Sequence, residues 1–581
     1  MEYIARMDLL REVLAKEDIS AMIIPSNDPH FGEYVPEYYK TIKWLTGFTA
    51  EAATLVITQT GAALWTDSRF FVQAESQLQG TGVELMKLKV EGTPTISQWL
   101  KENLQEGDIV AMDEELFSYQ EYTAMVDDLS PLIPSLIEDP FDSIWEDRPP
   151  LTFNPVRYLD ESVTGEGVAS KHSRLVEKLS GELPFAYIIT ALDEICWLCN
   201  IRGTDIEYNP LVLSYCVVNS ENIHLFLREE VVPSDVVSKL SSEGVIFHPY
   251  EEIGRFLRNL PKDCVRIYSS GKITAKNFLA SMENIYQNGP FAPFIPDPMT
   301  GGVLSNMKAQ KNSVEIEGFK RAYIEDAKAQ IKFFAWIREN IDNGITEHQA
   351  ALKLIEFRSE CPDYLGESFH PIIAFGSNGA IVHYEPTAEN SSIIGKNGFL
   401  LIDTGAQYTY GTTDTTRTLA LGELTAEQKD DFTAVLKGMI DLSIAKFNKG
   451  TRGAQLDILA RGPIFKRGKL YMHGTSHGIG HALCVHEGPQ SVRMEENSVI
   501  LKPGMVLSNE PAVYIEGEYG IRIENTIVVT PWQTNQFAEF YQFETITALP
   551  INTDAVNFEN LDSIEKAWLE DYNAKCATLL K

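Results

Sequence analysis

Two proline-rich stretches divide this chain of 581 residues into three segments. Residues 139–155 (DPFDSIWEDRPPLTFNP) and 289–298 (GPFAPFIPDP) each carry four prolines and show no helical or strand periodicity. Because proline lacks the backbone N–H that helices and sheets use, such clusters are typical of linkers. We therefore expect domains at residues 1–148, 149–300 and 301–581.

The first two segments alternate short apolar runs with amphipathic stretches, which is the pattern of α/β domains. In the first we predict helices at 1–17 and from about Ser68, and strands at Ala21–Pro25, Ala53–Thr58, Ala62–Thr66 and 83–90. In the second we predict helices at 170–179 and 193–199, and strands at 186–190, 211–218 and 223–227. The order of elements is similar in the two segments, although no sequence identity proves a repeat. His30, alone in the loop SNDPHFGEY, is expected to be structural.

The third segment combines capped helices with strands rich in Ile, Val and Thr, which predicts an α+β domain. Its helices are predicted to begin at three pairs in which a polar side chain is followed by Glu or Gln three residues later, the capping-box pattern. These pairs are Asn312 with Glu315, Thr346 with Gln349, and Thr425 with Gln428.

The charge balance limits the partners that this chain can bind. It has 49 basic and 82 acidic residues, a formal net charge of −33, and no run of Lys or Arg. Nucleic acids and anionic membranes attract positive surfaces, so neither is expected as a partner. The N-terminus lacks the basic and apolar pattern of a secretory signal, and no apolar run reaches the ~20 residues of a membrane span. We expect a cytoplasmic protein that does not bind membranes.

A stretch rich in histidine and glycine, residues 472–490 (MHGTSHGIGHALCVHEGPQ), is the first candidate for chemistry. His473, His477 and His481 have helical spacing, but the glycines between them disfavour a helix by roughly 1 kcal/mol each. We therefore predict an irregular strand or loop. His486 is followed by Glu487 without a second histidine, so the HExxH zinc motif is absent. Further metal ligands have to come from elsewhere in the chain.

Two predicted hairpins carry pairs of acidic residues in apolar surroundings. Asp403 and Asp414 are equidistant from the centre of FLLIDTGAQYTYGTTDTTRTLAL (399–421), and Glu510 and Glu524 are equidistant from Gly517. In an antiparallel hairpin such residues face each other with Cβ atoms ~5 Å apart. Four clustered carboxylates require compensating positive charge. Two divalent metal ions would supply it, with one imidazole from residues 472–490 completing the ligand set.

Several motifs in this order resemble those of the pita-bread metallopeptidases. They are DTGAQYTYGTTDTTRT, HGTSHGIGHALCVHEGP, SNEPAVY and GIRIENT. RGTDIEYNPLVLSY (202–215), IWEDRPP (144–150) and KNSVEIEGFKRAY (311–323) extend the resemblance over essentially the whole chain, to the three-domain Xaa-Pro aminopeptidases (aminopeptidase P). The implied fold is two creatinase-like N-terminal α/β domains followed by a C-terminal pita-bread domain. Ser476 stands where this family usually has Gly, so the backbone there is expected to differ slightly.

The resemblance also implies a role for each candidate residue. Asp403 is expected to bind one metal ion, Asp414 and Glu524 to bridge two, and His477 and Glu510 to complete the second. The residues expected to contact substrate or take part in catalysis are His383, His473, His486, Glu510, Tyr514, Arg522 and, lining a proline pocket, Phe369. His481 is expected to be a packing residue.

The implied activity is release of the N-terminal residue from peptides with proline at the second position. The resemblance implies that two divalent ions would supply a hydroxide that attacks the carbonyl of the first residue. Glu510 is expected to move the proton to the leaving nitrogen, and His486 or His383 to stabilise the oxyanion. Manganese is the expected metal, with Co, Zn or Fe as alternatives, and the family is commonly a homodimer.

Three other functions have to be weighed. A prolidase, which cleaves only Xaa-Pro dipeptides, has the same ligands but is usually shorter, with one N-terminal domain. A non-catalytic binding protein on this fold would lack the metal ligands, whereas all five are present. Residues 474–478 also match the GxSxG pattern of serine hydrolases around Ser476, but the glycines that follow disfavour the helix that a nucleophile elbow needs. We interpret that match as coincidence.

Overall fold

The computed structural model describes residues 2–179, 184–260, 266–269, 272–288, 294–296 and 299–581. Most of the second proline-rich stretch, 289–298, lies outside these residues. The described chain forms two compact units. The first unit contains residues 1–159, 167–207 and 211–304, and the second contains 160–166, 208–210 and 305–581. Among the described helices, none combines the length and the apolar character that crossing a membrane requires.

The first unit contains two six-stranded sheets with helices between the strands. In spatial order the first sheet has strands Glu84–Lys87, Ala62–Thr66, Ala53–Thr58, Ala21–Pro25, Ile109–Asp113 and Ile133–Ile137. The helices associated with it are Glu2–Lys16, Thr41–Thr46, Phe71–Gln77, Ile96–Asn103 and Tyr119–Leu129. The three strands predicted at Ala21–Pro25, Ala53–Thr58 and Ala62–Thr66 have the predicted bounds. The helix predicted from Ser68 begins at Phe71.

The second sheet repeats the first strand for strand. Its order is Val245–Pro249, Ile223–Leu227, Tyr215–Val218, Phe185–Ile189, Arg266–Ser269 and Phe294–Pro296. Its helices are Val168–Leu179, Leu192–Leu198, Ser234–Ser242, Ile253–Arg258 and Ala275–Asn288. When the strands of each sheet are counted in chain order, the fourth lies at one edge and the first is central. Parallel and antiparallel strand pairs occur at the same positions in the two sheets. The similar order of elements in the sequence therefore corresponds to a repeated topology.

The two sheets meet through reciprocal backbone hydrogen bonds. Tyr119 N donates to Ile273 O at 2.9 Å, and Ala275 N donates to Phe117 O at 2.9 Å. These bonds flank an isolated antiparallel bridge between Ser118 and Thr274. His30 is buried nearby in the unit and contacts the backbone O of Thr190 through Nδ1 at 2.9 Å. These contacts are those of a structural residue, as predicted.

The second unit is α+β, and its strand pairs are antiparallel throughout the described residues. Its helices are Ser313–Asn340, Glu347–Ser359, Ala426–Ser443, Asp457–Phe465 and Ser563–Leu579, and helix Val303–Ala309 spans the boundary. Capping boxes at Asn312, Thr346 and Thr425 start three of them, as predicted. Its sheets contain, in spatial order, Lys446–Asn448, Glu539–Thr545, Asn525–Thr534, Val506–Asn509, Ser476–Gly478 and Glu487–Val492; Ile372–Phe375, Gly398–Thr404 and Thr415–Leu421; Tyr364–Glu367, Ala406–Tyr408 and Gly411–Thr412; and Ala512–Ile515 with Tyr519–Arg522.

Candidate metal centre

Strand Gly398–Thr404 brings Asp403 into the interior of the second unit. Its apolar residues Phe399–Ile402 are buried, and Asp403 follows them with only 8% of its surface exposed. The Cα partner of Asp403 across the hairpin is Thr416. The prediction that Asp403 directly faces Asp414 is therefore wrong. The turn is centred between residues 409 and 410, one residue further along than equal spacing of the two acids assumed.

The two aspartates nevertheless lie on the same face of the hairpin. Continuing the observed register places Gly405 opposite Asp414, and Asp403 is two residues from Gly405, so the two carboxylates are diagonal neighbours. A Cβ atom on Gly405 would lie 2.0 Å from Thr413 O. Glycine at this position lets the two strand ends approach closely enough for the aspartates to converge.

Glu510 and Glu524 meet in the register that the sequence predicts. The strand pairs Asn509 with Asn525 and Ala512 with Arg522 flank them on either side, and both pairs share the centre at Gly517. Both glutamates lie at the junction of these two short ladders. The prediction that the two residues face each other is confirmed.

His477 lies on the short strand Ser476–Gly478, and residues 472–490 contain no helix, as predicted. Its Nδ1 donates to Gly478 O at 2.9 Å, because a carbonyl oxygen can only accept. Its Nε2 lies 3.3 Å from Asp414 Oδ2 and 3.4 Å from Glu510 Oε1. The backbone thus fixes the tautomer that leaves Nε2 available as a metal ligand.

The five candidate ligands converge in overlapping groups whose ligand atoms lie within 4.8 Å of one another. Two of these groups are Asp403, Asp414 and Glu524, and His477, Glu510 and Glu524; a third is Asp414, His477 and His486. Asp403 Oδ1 and Glu524 Oε1 are buried and accept no hydrogen bond from the described residues. Buried carboxylate oxygens are normally satisfied, so these two fit metal ions as their partners. The oxygen-rich set with one imidazole suits two hard or borderline divalent ions.

The electrostatics of the ligand side chains show the same need for positive charge. Burial, reinforced by the charges of Asp414 and Glu510, raises the pKa of Glu524 well above its ordinary value. Burial also raises the pKa of Glu510 to about 7, although His477 opposes the shift. For His477, burial lowers the pKa, but the neighbouring Asp414 and Glu510 outweigh it and raise the pKa to about 9. The cluster therefore needs compensating positive charge to keep all of its carboxylates ionised.

Side chains behind the ligands fix their orientation. Arg522 donates to Asp403 Oδ2 through Nε at 3.0 Å and Nη2 at 2.5 Å. Thr416 Oγ1 donates to Glu524 Oε2 at 3.0 Å, and Ser508 Oγ donates to Glu510 Oε1 at 3.0 Å. The backbone N–H of Asp414 donates to Tyr323 OH at 3.1 Å. Arg522 was predicted from the sequence, whereas Thr416, Ser508 and Tyr323 were not. Thr416 and Ser508 each lie two residues from a ligand on a strand, and that spacing could have indicated them.

Tyr514 links His473 to the arginine that holds Asp403. His473 Nδ1 donates to Gly474 O at 2.7 Å, which leaves Nε2 to accept from Tyr514 OH at 3.0 Å. Arg522 Nη1 in turn donates to Tyr514 OH at 2.5 Å. All three predicted residues, His473, Tyr514 and Arg522, are therefore joined in one hydrogen-bonded chain that ends at Asp403.

His486 lies beside the ligands, whereas His481 packs elsewhere. The rings of His486 and His477 are 4.3 Å apart at 87°. The next residue, Glu487, is buried and paired with both Lys308 and Lys311, which anchors the segment. His481 is buried with its ring 5.5 Å from that of Phe319, and none of the ligand groups includes it.

Two further predicted residues lie on segments that border the ligands. Val382 O, next to His383, accepts from Arg522 Nη2 at 3.5 Å, so this segment and Asp403 share one guanidinium group. Phe369 is buried, and a Cβ atom on Gly405 would lie 2.8 Å from its ring. Phe369 therefore lies against the hairpin between Asp403 and Asp414.

Family models match almost the whole chain. Residues 6–136 and 147–315 each match a creatinase/prolidase N-terminal domain, residues 317–531 match metallopeptidase family M24, and residues 539–581 match the C-terminal region of that peptidase family. A probable Xaa-Pro aminopeptidase P of Coprinopsis cinerea is 36% identical over 97% of this chain and 93% of its own length. This chain belongs to the Xaa-Pro aminopeptidase family of M24 metallopeptidases.

Other members of the family show the same extent of similarity. Xaa-Pro aminopeptidase 1 of Dictyostelium discoideum is 36% identical over 98% of this chain and 91% of its own length. The crystal structure of X-prolyl aminopeptidase from Caenorhabditis elegans, described as a cytosolic enzyme with a di-nuclear active site, superposes with a TM-score of 0.91. The two sequences are 32% identical, and the match covers 100% of this chain and 95% of the other. The predicted fold, two creatinase-like domains followed by a pita-bread metallopeptidase domain, is confirmed.

Proposed function

We propose that this protein is a metal-dependent Xaa-Pro aminopeptidase that releases the N-terminal residue from peptides with proline at the second position. The convergence of Asp403, Asp414, His477, Glu510 and Glu524 carries this proposal. The whole-length similarity to Xaa-Pro aminopeptidases supports the substrate class. When bound, two divalent ions would supply an activated water and polarise the scissile carbonyl.

The residues of the chain then perform the remaining steps. Glu510 accepts a proton and delivers it to the proline nitrogen as the peptide bond breaks. His383 and His486 donate hydrogen bonds to the oxygen of the tetrahedral intermediate. Phe369 contributes apolar surface for the proline ring, which has no N–H for the enzyme to recognise.

We propose manganese as the metal, with Co, Zn or Fe as alternatives. Four carboxylates and one imidazole form a ligand set that hard ions such as Mn²⁺ favour, and the imidazole also suits Fe and Zn. Metal analysis of the purified protein by mass spectrometry tests both the number and the identity of the ions. Fewer than two bound ions per chain at saturation would contradict a di-nuclear site.

Hydrolysis of Arg-Pro-Pro and Arg-Pro tests the reaction. Release of Arg from the tripeptide supports the aminopeptidase, whereas cleavage of the dipeptide alone favours a prolidase. Asp414→Asn should abolish both metal loading and turnover, and Asp554→Asn, at an exposed position, is the matched control. A fully active, metal-loaded Asp414→Asn variant would contradict the assignment of Asp414 as a metal ligand. A chain that loads metals but hydrolyses neither peptide would contradict both the aminopeptidase and the prolidase.

The GxSxG match around Ser476 can be tested with one variant, because a nucleophilic serine would be essential for activity. Ser476 lies on a strand and no helix follows it, so a nucleophile elbow has no support. Ser476→Ala should retain activity; complete loss with both metals bound would revive the serine hydrolase.

We also propose domain limits at 1–148, 149–300 and 301–581. The family-model matches to residues 6–136, 147–315 and 317–531 support three parts of this size. Limited proteolysis followed by mass spectrometry should give cuts near residues 148 and 300.

A homodimer and a cytoplasmic location complete the proposal. Two apolar side chains that are seven residues apart, and so lie on the same face of helix Asp457–Phe465, are exposed: Ile458 and Phe465. Leu470 and Met472, just beyond the helix, are also exposed. Together they support an apolar contact surface in this region. Sedimentation analysis of the wild type and of Phe465→Glu tests the dimer. The C. elegans relative is described as cytosolic, which supports the location; fractionation of cells tests it.

A further inference from the structure

The segment that carries His383 has little regular structure of its own. Between strands Ile372–Phe375 and Gly398–Thr404 the chain forms a short 3₁₀ turn, Gly376–Ala380, an isolated bridge from Ile393 to Thr346, and otherwise irregular loop. A loop of this length samples many conformations unless other elements hold it. The position of His383 therefore depends on the anchors of residues 375–392.

One buried carboxylate supplies most of these anchors. Glu347, the first residue of helix Glu347–Ser359, is fully buried. It accepts from the backbone N–H of Phe375 at 2.6 Å, from Asn378 Nδ2 at 3.0 Å, from Tyr384 OH at 2.7 Å and from the backbone N–H of Ser392 at 2.7 Å. All four donors belong to residues 375–392. One side chain thus joins the start, the middle and the end of the segment.

Among the described residues, the hydrogen bonds to the Glu347 carboxylate come from residues 375–392 alone. Within the described part of the chain, no Lys, Arg or His forms an ion pair with it. Its negative charge lies at a helix N-terminus, where the helix dipole favours an anion. The adjacent His348 donates from Nδ1 to Pro386 O at 3.1 Å, and Glu347 N donates to Ser392 O at 3.0 Å. The first turn of this helix is therefore a cradle for the segment.

The opposite side of the segment packs against the ligand-bearing hairpin. A Cβ atom on Gly520 would lie 1.7 Å from Gly379 O, so the two backbones are in direct contact. Arg522 Nη2 reaches Val382 O at 3.5 Å and also holds Asp403. His383 therefore lies between an anchor at Glu347 and the side chains that orient a metal ligand.

We propose that Glu347 is a positioning residue for the peptidase reaction, acting through Tyr384 and its neighbour His383. The inference rests on the proposed function, in which His383 contacts the substrate. Glu347 holds residues 375–392 and forms no hydrogen bond with any of the five metal ligands. Its loss should therefore misplace His383 while leaving the metal site intact, and a misplacement of about 1 Å can cost 10²-fold in rate.

A double-mutant cycle tests this coupling. Glu347→Gln puts an amide N–H₂ among donors, and we expect kcat/KM for Arg-Pro-Pro to fall roughly 10- to 100-fold with two metals still bound. In a His383→Ala background the same substitution should change kcat/KM less than about twofold, because residues that act as a unit are non-additive. Equal effects in the two backgrounds, or loss of metal from Glu347→Gln, would overturn the inference.

Two further variants keep the test decisive. Glu356→Gln, on the same helix, exposed and paired with Lys353, is the matched control and should leave the kinetics unchanged. If Glu347→Gln is recovered only unfolded, Tyr384→Phe replaces it in the cycle, since it deletes one hydroxyl donor and keeps the ring. A metal-loaded wild type that hydrolyses neither Arg-Pro-Pro nor Arg-Pro overturns the proposed function and this inference together. An active wild type with additive effects overturns the inference alone.

Discussion

Arg522 binds one oxygen of Asp403 through two nitrogens and leaves the other oxygen without a hydrogen bond from the described residues. Both Nε and Nη2 donate to Oδ2, so the carboxylate plane is fixed with Oδ1 turned away from the guanidinium group. Both residues are buried, which excludes water as an alternative partner for most of their surface. This orientation presents Oδ1 to the other ligands.

The first prediction concerns this pair. Arg522→Lys keeps the charge but loses the planar fork, so Asp403 can rotate and metal affinity should fall roughly 10- to 100-fold. Titration calorimetry with Mn²⁺ measures the change. Arg452→Lys, at a half-buried position paired with Glu496, should bind metal as the wild type does. Unchanged affinity in Arg522→Lys would show that the fork does not orient Asp403.

The second prediction concerns Ser508, which was not among the site residues predicted from the sequence. Its hydroxyl donates to Glu510 Oε1 at 3.0 Å and accepts from the backbone N–H of His477 at 3.0 Å, so it aligns two ligands at once. Ser508→Ala should weaken metal binding by about tenfold or more. Ser359→Ala, on the exposed end of a helix, is the control. Equal metal affinity in the two variants would contradict this role.

The third prediction is a pH dependence in the first unit. Burial lowers the pKa of His30 from its ordinary value of 6.5 to about 4. The neutral ring therefore stabilises the fold fully above pH 6.5, and this contribution is lost as pH falls from 6.5 towards 4. A shift of this size is worth about 3 kcal/mol. His30→Asn should remove that part of the acid sensitivity of the free energy of unfolding, measured by urea titration between pH 7 and 4.

The buried Asp28 also makes the free energy of unfolding depend on pH, so the wild type has to be compared with His30→Asn. Burial raises the pKa of Asp28 to about 6, so its contribution has the opposite sign and is lost as pH rises through that value. It is present in both the wild type and His30→Asn, and the difference between their curves isolates His30. Parallel curves across this pH range would refute the assignment.

The fourth prediction concerns the contact between Gly520 and Gly379. A methyl group at 520 would meet Gly379 O at 1.7 Å, so Gly520→Ala should destabilise the protein by about 1–3 kcal/mol and lower kcat/KM by displacing the His383 segment. Gly462→Ala is the matched control, because nothing lies within 4 Å of its added Cβ in a helix. It should be neutral or slightly stabilising. Thermal unfolding and kinetics measure both effects.

Local signals allowed much of the fold to be predicted from the sequence. The capping boxes at Asn312, Thr346 and Thr425 start helices because a side chain satisfies backbone donors within three residues. Strand Ala21–Pro25 has the predicted bounds because its apolar run is buried on both faces. Signals of this kind need no knowledge of distant residues.

Register was harder to predict than strand location. The Glu510 and Glu524 register is right because Gly517 marks the turn with a positive φ. The register predicted for Asp403 and Asp414 is wrong because residues 408–411 offer several turn positions. In the structure, pairing with strand Tyr364–Glu367 selects one of them. Contacts such as Glu347 with Tyr384 join residues 37 positions apart and leave no local pattern.

The reciprocal contacts around Ser118 and Thr274 bear on how a unit with two similar sheets could have arisen. Each lies after the fifth strand of its own sheet, and the hydrogen bonds run from each copy to the other at equivalent positions. This is the self-complementary geometry of an isologous dimer, here inside one polypeptide. Gene duplication and fusion of a module that self-associated through this face would produce this arrangement.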